Sequence, residues 1–218
     1  MQMLAFEDFY SQGNESLRLL EGLQAEEEGL SLSSLQGRLS EFSSIGTQGA
    51  GSLALRYLWQ AQQEGFWPVW ISCVGLPFVE DLASSGVDTE SLPLVRTEEI
   101  GQCLRAAERV LRSEVCGLVV VDVGDAQAAP SAMAARLLKL SQLSESACLF
   151  LSARSRSGSP SLSPLVSLRL EVSYEAGGAA HALPDMRSLS LDAKIVRDKR
   201  DGRRDGFSVR TMVTPGFY

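Results

Sequence analysis

The sequence predicts an α/β fold, a mostly parallel twisted sheet flanked by helices with an antiparallel extension at its C-terminal end. Three observations lead there. Leu118-Val119-Val120-Val121-Asp122 has no polar residue before its terminal carboxylate, the composition of a strand buried on both faces. Ile100, Cys103, Leu104, Ala107, Val110 and Leu111 recur at i, i+3, i+4, i+7, i+10 and i+11, one face of an amphipathic helix over 99–112. Strand and helix signals alternate as far as about residue 152 and then give way to consecutive strands.

In chain order, residues 1–30 read as an N-terminal helical arm, separate from a core domain over 31–218. Asn14 is placed to cap a helix carrying Leu17, Leu20 and Leu23, which the run Glu26-Glu27-Glu28 and Gly29 close. That arm is either a solvated surface helix or, through Phe6, Phe9 and Tyr10, a partner-binding segment. Residues 38–43 read as a short strand, 44–52 as a loop rich in Gly and Ser, and the stretch to about Glu64 as a helix with Ala54, Tyr57, Leu58 and Ala61 on one face. Trp67–Cys73 reads as a buried strand, Pro130–Leu143 as a helix and Cys148–Ser152 as an apolar strand. The stretch 152–167, with seven serines, two arginines and two prolines, reads as a loop running into a strand. Strands are expected near 165–174, 188–198 and 206–213, with a Gly/Ala-rich loop at 176–182 and a turn at Asp201-Gly202. Trp59, Trp67 and Trp70 are expected in core or helix–sheet packing.

Composition narrows the function classes. No apolar run reaches the roughly 18 residues of a membrane span, and no basic segment precedes an apolar one at the N-terminus, so a cytoplasmic protein without a membrane partner is expected. Cys73, Cys103, Cys116 and Cys148 form no CxxC pair and read as reduced and buried. A single histidine, His181, disfavours His-rich metal sites and a Ser-His-Asp triad; no metal site is expected. The net charge of −7 is uneven: 15 acidic and 4 basic residues among the first 100, 12 acidic and 16 basic after. Phosphate contacts dominate nucleic-acid affinity, so any such role falls to the C-terminal part.

The loop after the first strand reads Ser44-Ile45-Gly46-Thr47-Gln48-Gly49-Ala50-Gly51-Ser52-Leu53. Its place between a strand and a helix is that of a phosphate loop, G-x-x-x-x-G-K-[ST], in which backbone N–H groups cradle phosphate and a lysine neutralises it. Two registers are open. With Gly46 and Gly51 as motif glycines, Ser52 stands at the lysine; with Gly49 as the second glycine, Ala50 does. The lysine is missing in both.

Gly49–Leu55 with Gln60-Ala61-Gln62, the turn Gly86-Val87-Asp88-Thr89-Glu90-Ser91-Leu92, and Leu111-Arg112-Ser113 ahead of Val119–Asp122 together resemble the RecA recombinase core, in the same order along the chain. The resemblance resumes at Phe150–Arg154, Val166–Val172 and Lys194–Lys199. It implies a RecA-like P-loop core. It also implies that Gly46, Gly49, Gly51, Ser52 and Asp122 form a vestigial nucleotide site, with Asp122 as the Walker B carboxylate; the alternative for Asp122 is a turn cap at a strand end. The family's catalytic Glu falls at Val74, and its γ-phosphate-sensing Gln falls within Leu151-Ser152-Ala153-Arg154, where there is none. Each lost charge-stabilising group typically costs ~10²-fold or more in rate, so no catalytic residue, no cofactor and no hydrolysis are expected.

The family's first DNA loop is represented only by Val123–Pro130, and the second by a short stretch bearing Arg154 and Arg156, neither with an aromatic for base stacking. Between 187 and 210 eight basic residues face four acids. Arg197, Lys199, Arg200, Arg203 and Arg204 lie on a hairpin resembling a segment that reaches toward the neighbouring subunit in RecA filaments. It reads as a solvated hairpin, a protein contact, or a phosphate-backbone contact.

The chain thereby resembles the short, ATPase-deficient RecA homologues of the ImuA kind, some called SulA-like, from bacterial SOS mutagenesis cassettes. That resemblance implies a non-catalytic accessory protein regulating DNA repair, translesion synthesis and recombination. Its partners would be RecA, an ImuB-like polymerase partner or DNA, with a homo-oligomer also open. The alternatives are a weak nucleotide- or DNA-binding RecA paralogue, including a divergent NTPase using Ser52, Asp122 and a neighbouring subunit's Lys199, or a SulA-like cell-division inhibitor.

Overall fold

The computed structural model describes residues 30–45, 49–126, 128–154, 159–174 and 189–211. The N-terminal arm up to Gly29, the loop at 176–182 and the last two residues of the strand expected over 206–213 lie outside them. A 3-10 turn at Leu32–Ser34 leads into β1 (Leu39–Ile45), α1 (Gly49–Gln63), β2 (Trp67–Ser72), α2 (Val79–Ser84), β3 (Leu94–Arg96), α3 (Ile100–Arg112), β4 (Cys116–Asp122), α4 (Ser131–Leu143), β5 (Ala147–Arg154), β6 (Leu168–Tyr174), β7 (Leu189–Asp198) and β8 (Phe207–Thr211). The strands form one sheet in the order β3-β2-β4-β5-β1-β6-β7-β8. Every pairing from β3 to β6 is parallel, and β7 and β8 extend the sheet antiparallel, as the sequence predicts.

Side chains alternate across a strand, so each central strand feeds two cores. On one face α1 packs Leu53, Leu58 and Tyr57 over Phe42, Trp70, Val120, Leu149 and Leu170. On the other, α3 and α4 pack Leu104, Leu111 and Leu137 over Ile71, Val121 and Phe150. β4 joins both clusters, which is why it carries an unbroken apolar run. Full burial of each such side chain contributes about 1.5–3 kcal/mol. No helix among the described residues is long and apolar enough to cross a membrane.

Four expectations change. The glycine stretch is not loop throughout: helix α1 begins at Gly49, so Gly49, Gly51 and Ser52 sit in its first turn. Trp67 is not core; it opens β2 and is 56% exposed, whereas Trp70 is buried. Cys73 is half-buried, the other three cysteines are buried, and all four are free thiols. β5 runs two residues past its expected end to Arg154, drawing that arginine inward. The short element α2 was not foreseen, because six residues are too few to show a period.

Candidate functional site

Because β1, β5, β4 and β2 are parallel, their carboxyl ends gather at one edge of the sheet. Phe42 of β1, Leu151 of β5, Asp122 of β4 and Ser72 of β2 lie at one level, and β1 and β5 run on until Ile45 pairs with Arg154. Alternation then divides the candidates. Asp122 follows Leu118 and Val120 onto the face that carries α1, the face of the glycine segment. Arg154 follows Cys148 and Phe150 onto the opposite face.

On the α1 face the glycine segment closes on the chain itself. Gly49 lies so near β6 and β7 that a Cβ there would sit 3.2 Å from both Val172 Cγ1 and Leu191 Cδ2. The Ala50 N–H donates to Ser44 Oγ at 2.9 Å, and Ser52 Oγ lies 3.0 Å from Tyr174 Oη. Gly49, Ala50 and Ser52 are buried and Gly51 half-buried. In one register the lysine position is thus a buried serine tied to Tyr174, and in the other a buried methyl. Gly46 lies outside the described residues.

Asp122 is built into turns at the ends of β4 and β2. Its Oδ1 accepts the Gly124 N–H at 3.2 Å, and Ser72 Oγ donates to Oδ2 at 3.4 Å. Ser72 Oγ in turn accepts the N–H groups of Val74 and Gly75. Burial pushes the Asp122 carboxyl above the usual range, against the pull of these hydrogen bonds. Gly124 has φ +56°, and a Cβ on it would meet Val74 Cγ1 at 2.5 Å, so a glycine is required beneath Val74. From there the chain runs apolar and outward: Val74 is 58%, Phe78 61% and Val79 54% exposed, with Leu76 beside them.

On the opposite face Arg154 is not a surface cation. Its guanidinium lies 2.8 Å from Glu41 Oε1 and donates to the Ala126 carbonyl at 3.0 Å, with only 3% of the side chain exposed. Glu41, in the middle of β1 and fully buried, also accepts Ser152 Oγ at 2.8 Å, Ser161 Oγ at 2.5 Å and the Leu162 N–H at 2.9 Å. Burial alone would raise the Glu41 carboxyl, but Arg154, Ser161, Leu162 and Ser152 together hold it below its ordinary value. Arg154 is therefore corrected from a DNA- or partner-binding candidate to the internal partner of Glu41. Arg156 lies outside the described residues.

The sequence reading missed Glu41. Its signal was there: one carboxylate inside an otherwise uncharged strand, Leu39-Ser-Glu-Phe-Ser-Ser-Ile45, must be paired if the strand is central. The remaining candidates stay together on the β7–β8 hairpin but differ in role. Asp198 pairs with buried Arg38 at 2.8 Å and accepts the Arg200 and Asp201 N–H groups. Lys199 Nζ donates to the Pro164 carbonyl and Arg200 Nη2 to the Gln36 carbonyl, which pins the hairpin to the sheet. Arg197 is half-buried opposite Arg169, and Arg203 and Arg204 are exposed. No family model and no curated protein matches this chain.

Proposed function

We propose that this chain is a non-catalytic docking protein built on a RecA-like core. In this reading it regulates DNA repair, translesion synthesis and recombination by binding RecA, a mutagenic polymerase partner, or both. The observation that carries the reading is the set of exposed apolar side chains Val74, Leu76, Phe78 and Val79 at the carboxyl edge of the sheet. It begins where the resemblance would put a catalytic Glu, and clustered exposed apolar side chains suit a protein contact. The polar groups around it support the same reading, since Ala50 N–H, Ser52 Oγ and Asp122 each have a partner within the chain. A degenerate protomer of this kind would join one end of a filament and fail to extend it.

The test is retention of the full chain on immobilised RecA, with and without single-stranded DNA, together with a strand-exchange assay. Retention that falls with Phe78→Ser plus Val79→Ser, and slowed strand exchange at sub-stoichiometric protein, are expected. Unchanged strand exchange at excess protein refutes docking on RecA, and absence of retention on an immobilised mutagenic polymerase partner as well refutes the proposal. A second reading, direct contact with DNA phosphates, rests on the exposure of Arg203 and Arg204. It requires affinity that drops steeply with salt and that weakens on replacing both arginines.

A further inference from the structure

The opposite, amino edge of the sheet carries two unlike features, one near each end. The first is a cavity of about 340 Å³ between the C-terminus of α1, the start of β2 and the 86–91 turn, lined by Gln62, Gln63, Phe66, Trp67, Asp88 and Ser91 among others. Its walls are built in place. The Phe66 ring covers Gly117 so closely that a Cβ there would lie 2.5 Å from it. The Gln62 amide both donates to the Asp88 carbonyl at 2.9 Å and accepts the Asp88 N–H at 2.8 Å, and donates further to Ser91 Oγ. Trp67 is 56% and Phe66 37% exposed. Asp88 is exposed in the wall, its Oδ1 accepting the Glu90 N–H at 3.0 Å, and the exposed Glu64 and Glu90 each adjoin a lining residue in the chain. An aromatic wall beside carboxylates is the chemistry that receives a guanidinium, which stacks on indole and pairs with carboxylate.

The second feature supplies guanidinium. The β7–β8 hairpin presents Arg204 and Arg203 to solvent, Arg203 with Nε 3.9 Å from Asp201 Oδ2, while Asp198, Lys199 and Arg200 fix its base. It lies on the same edge because Asp198 pairs with Leu168, the first residue of β6, and Trp67 is the first residue of β2. From β2 to β7 the sheet order takes five steps, about 24 Å at ~4.8 Å per strand. Within one molecule the hairpin therefore does not reach the cavity.

We infer that two copies of this chain associate through their amino edges, each placing Arg203 or Arg204 in the other's Phe66–Trp67–Asp88 cavity. A two-fold axis along the sheet normal, between β5 and β1, exchanges the two ends of the edge and makes both contacts at once, as an isologous interface requires. The occupant is a second copy rather than an unrelated protein because both complementary halves are present on this one edge. The carboxyl edges then point away from each other, so the inference stands whether or not those edges dock on RecA.

The test is sedimentation velocity of the full chain over a wide concentration range at low and high salt. A reversible dimer that weakens with salt is expected. Trp67→Ala should raise its dissociation constant at least ~10-fold, and Arg203→Glu with Arg204→Glu should do the same. All three positions are exposed, and circular dichroism checks that each variant folds. Mixing the two variants should yield a heterodimer tighter than either variant alone, because one intact cavity then meets one intact hairpin. A monomer at every concentration overturns the inference, including one whose cavity is filled by residues 1–29 of its own chain. So does a dimer that neither variant weakens, or a mixture with no gain, which would mean cavity facing cavity.

Discussion

Replacing Arg154 with alanine is expected to unfold the protein more readily, with no specific effect on DNA. The substitution removes the 2.8 Å ion pair to Glu41 and the hydrogen bond to the Ala126 carbonyl. It leaves a fully buried carboxylate whose remaining donors are Ser152, Ser161 and the Leu162 N–H. Breaking a buried pair from one side costs about 3–5 kcal/mol, because the orphaned charge stays in low dielectric. For a domain of this size each kcal/mol moves the melting temperature by about 2–4 °C, so a fall of roughly 6–20 °C follows. Thermal and urea denaturation followed by circular dichroism measure it. Glu41→Gln combined with Arg154→Met, which removes both charges and keeps the volume, should recover most of the loss. Acid dependence adds a check on the sign. The folded-state Glu41 carboxyl lies below its ordinary 4.5, so its ionisation stabilises the fold above that value and the contribution is lost as pH falls through the folded value. The advantage of the native chain over Glu41→Gln should therefore shrink on acidification below about 4.5. An Arg154→Ala protein with a loss under ~1 kcal/mol, the value of a surface pair, would refute the reasoning, the more so if its affinity for single-stranded DNA fell.

Asp122 should behave in the opposite sense. Its folded-state carboxyl is raised by burial, so ionising it costs stability above the unfolded value of 3.8 and costs nothing well below. Asp122→Asn, which keeps an acceptor for Gly124, is expected to stabilise the fold at neutral pH in urea titrations, with the gain vanishing as pH drops below 3.8. Gly124→Ala should destabilise by about 1–3 kcal/mol, since it adds a Cβ at φ +56° against Val74. Calorimetry with Mg-ATP should register no binding heat, because Ala50 N–H and Ser52 Oγ are already engaged by Ser44 and Tyr174. Saturable heat abolished by Asp122→Ala would favour the divergent NTPase instead.

What the sequence determined by itself was whatever local pattern can encode. The apolar run Leu118–Val121 and the helical stripe Ile100–Leu111 were legible because burial on one face or two leaves a period in the residues themselves. The same held for the missing lysine and for Val74, since a chemical group that is absent needs no coordinates. Tertiary structure alone decided the partners. Arg154 looked like a loop cation until the β1–β5 register set it beside Glu41, 113 residues earlier in the chain. Asp122 and Ser72 meet only because β2 and β4 are neighbours in the sheet. Trp67 and the Arg203–Arg204 hairpin share one edge only because β7 runs antiparallel to β6 and ends at Asp198 beside Leu168, the edge at which β2 begins. Spacing along a chain carries period and chemistry, whereas pairing across a sheet depends on strand order and register, which no local window of residues contains.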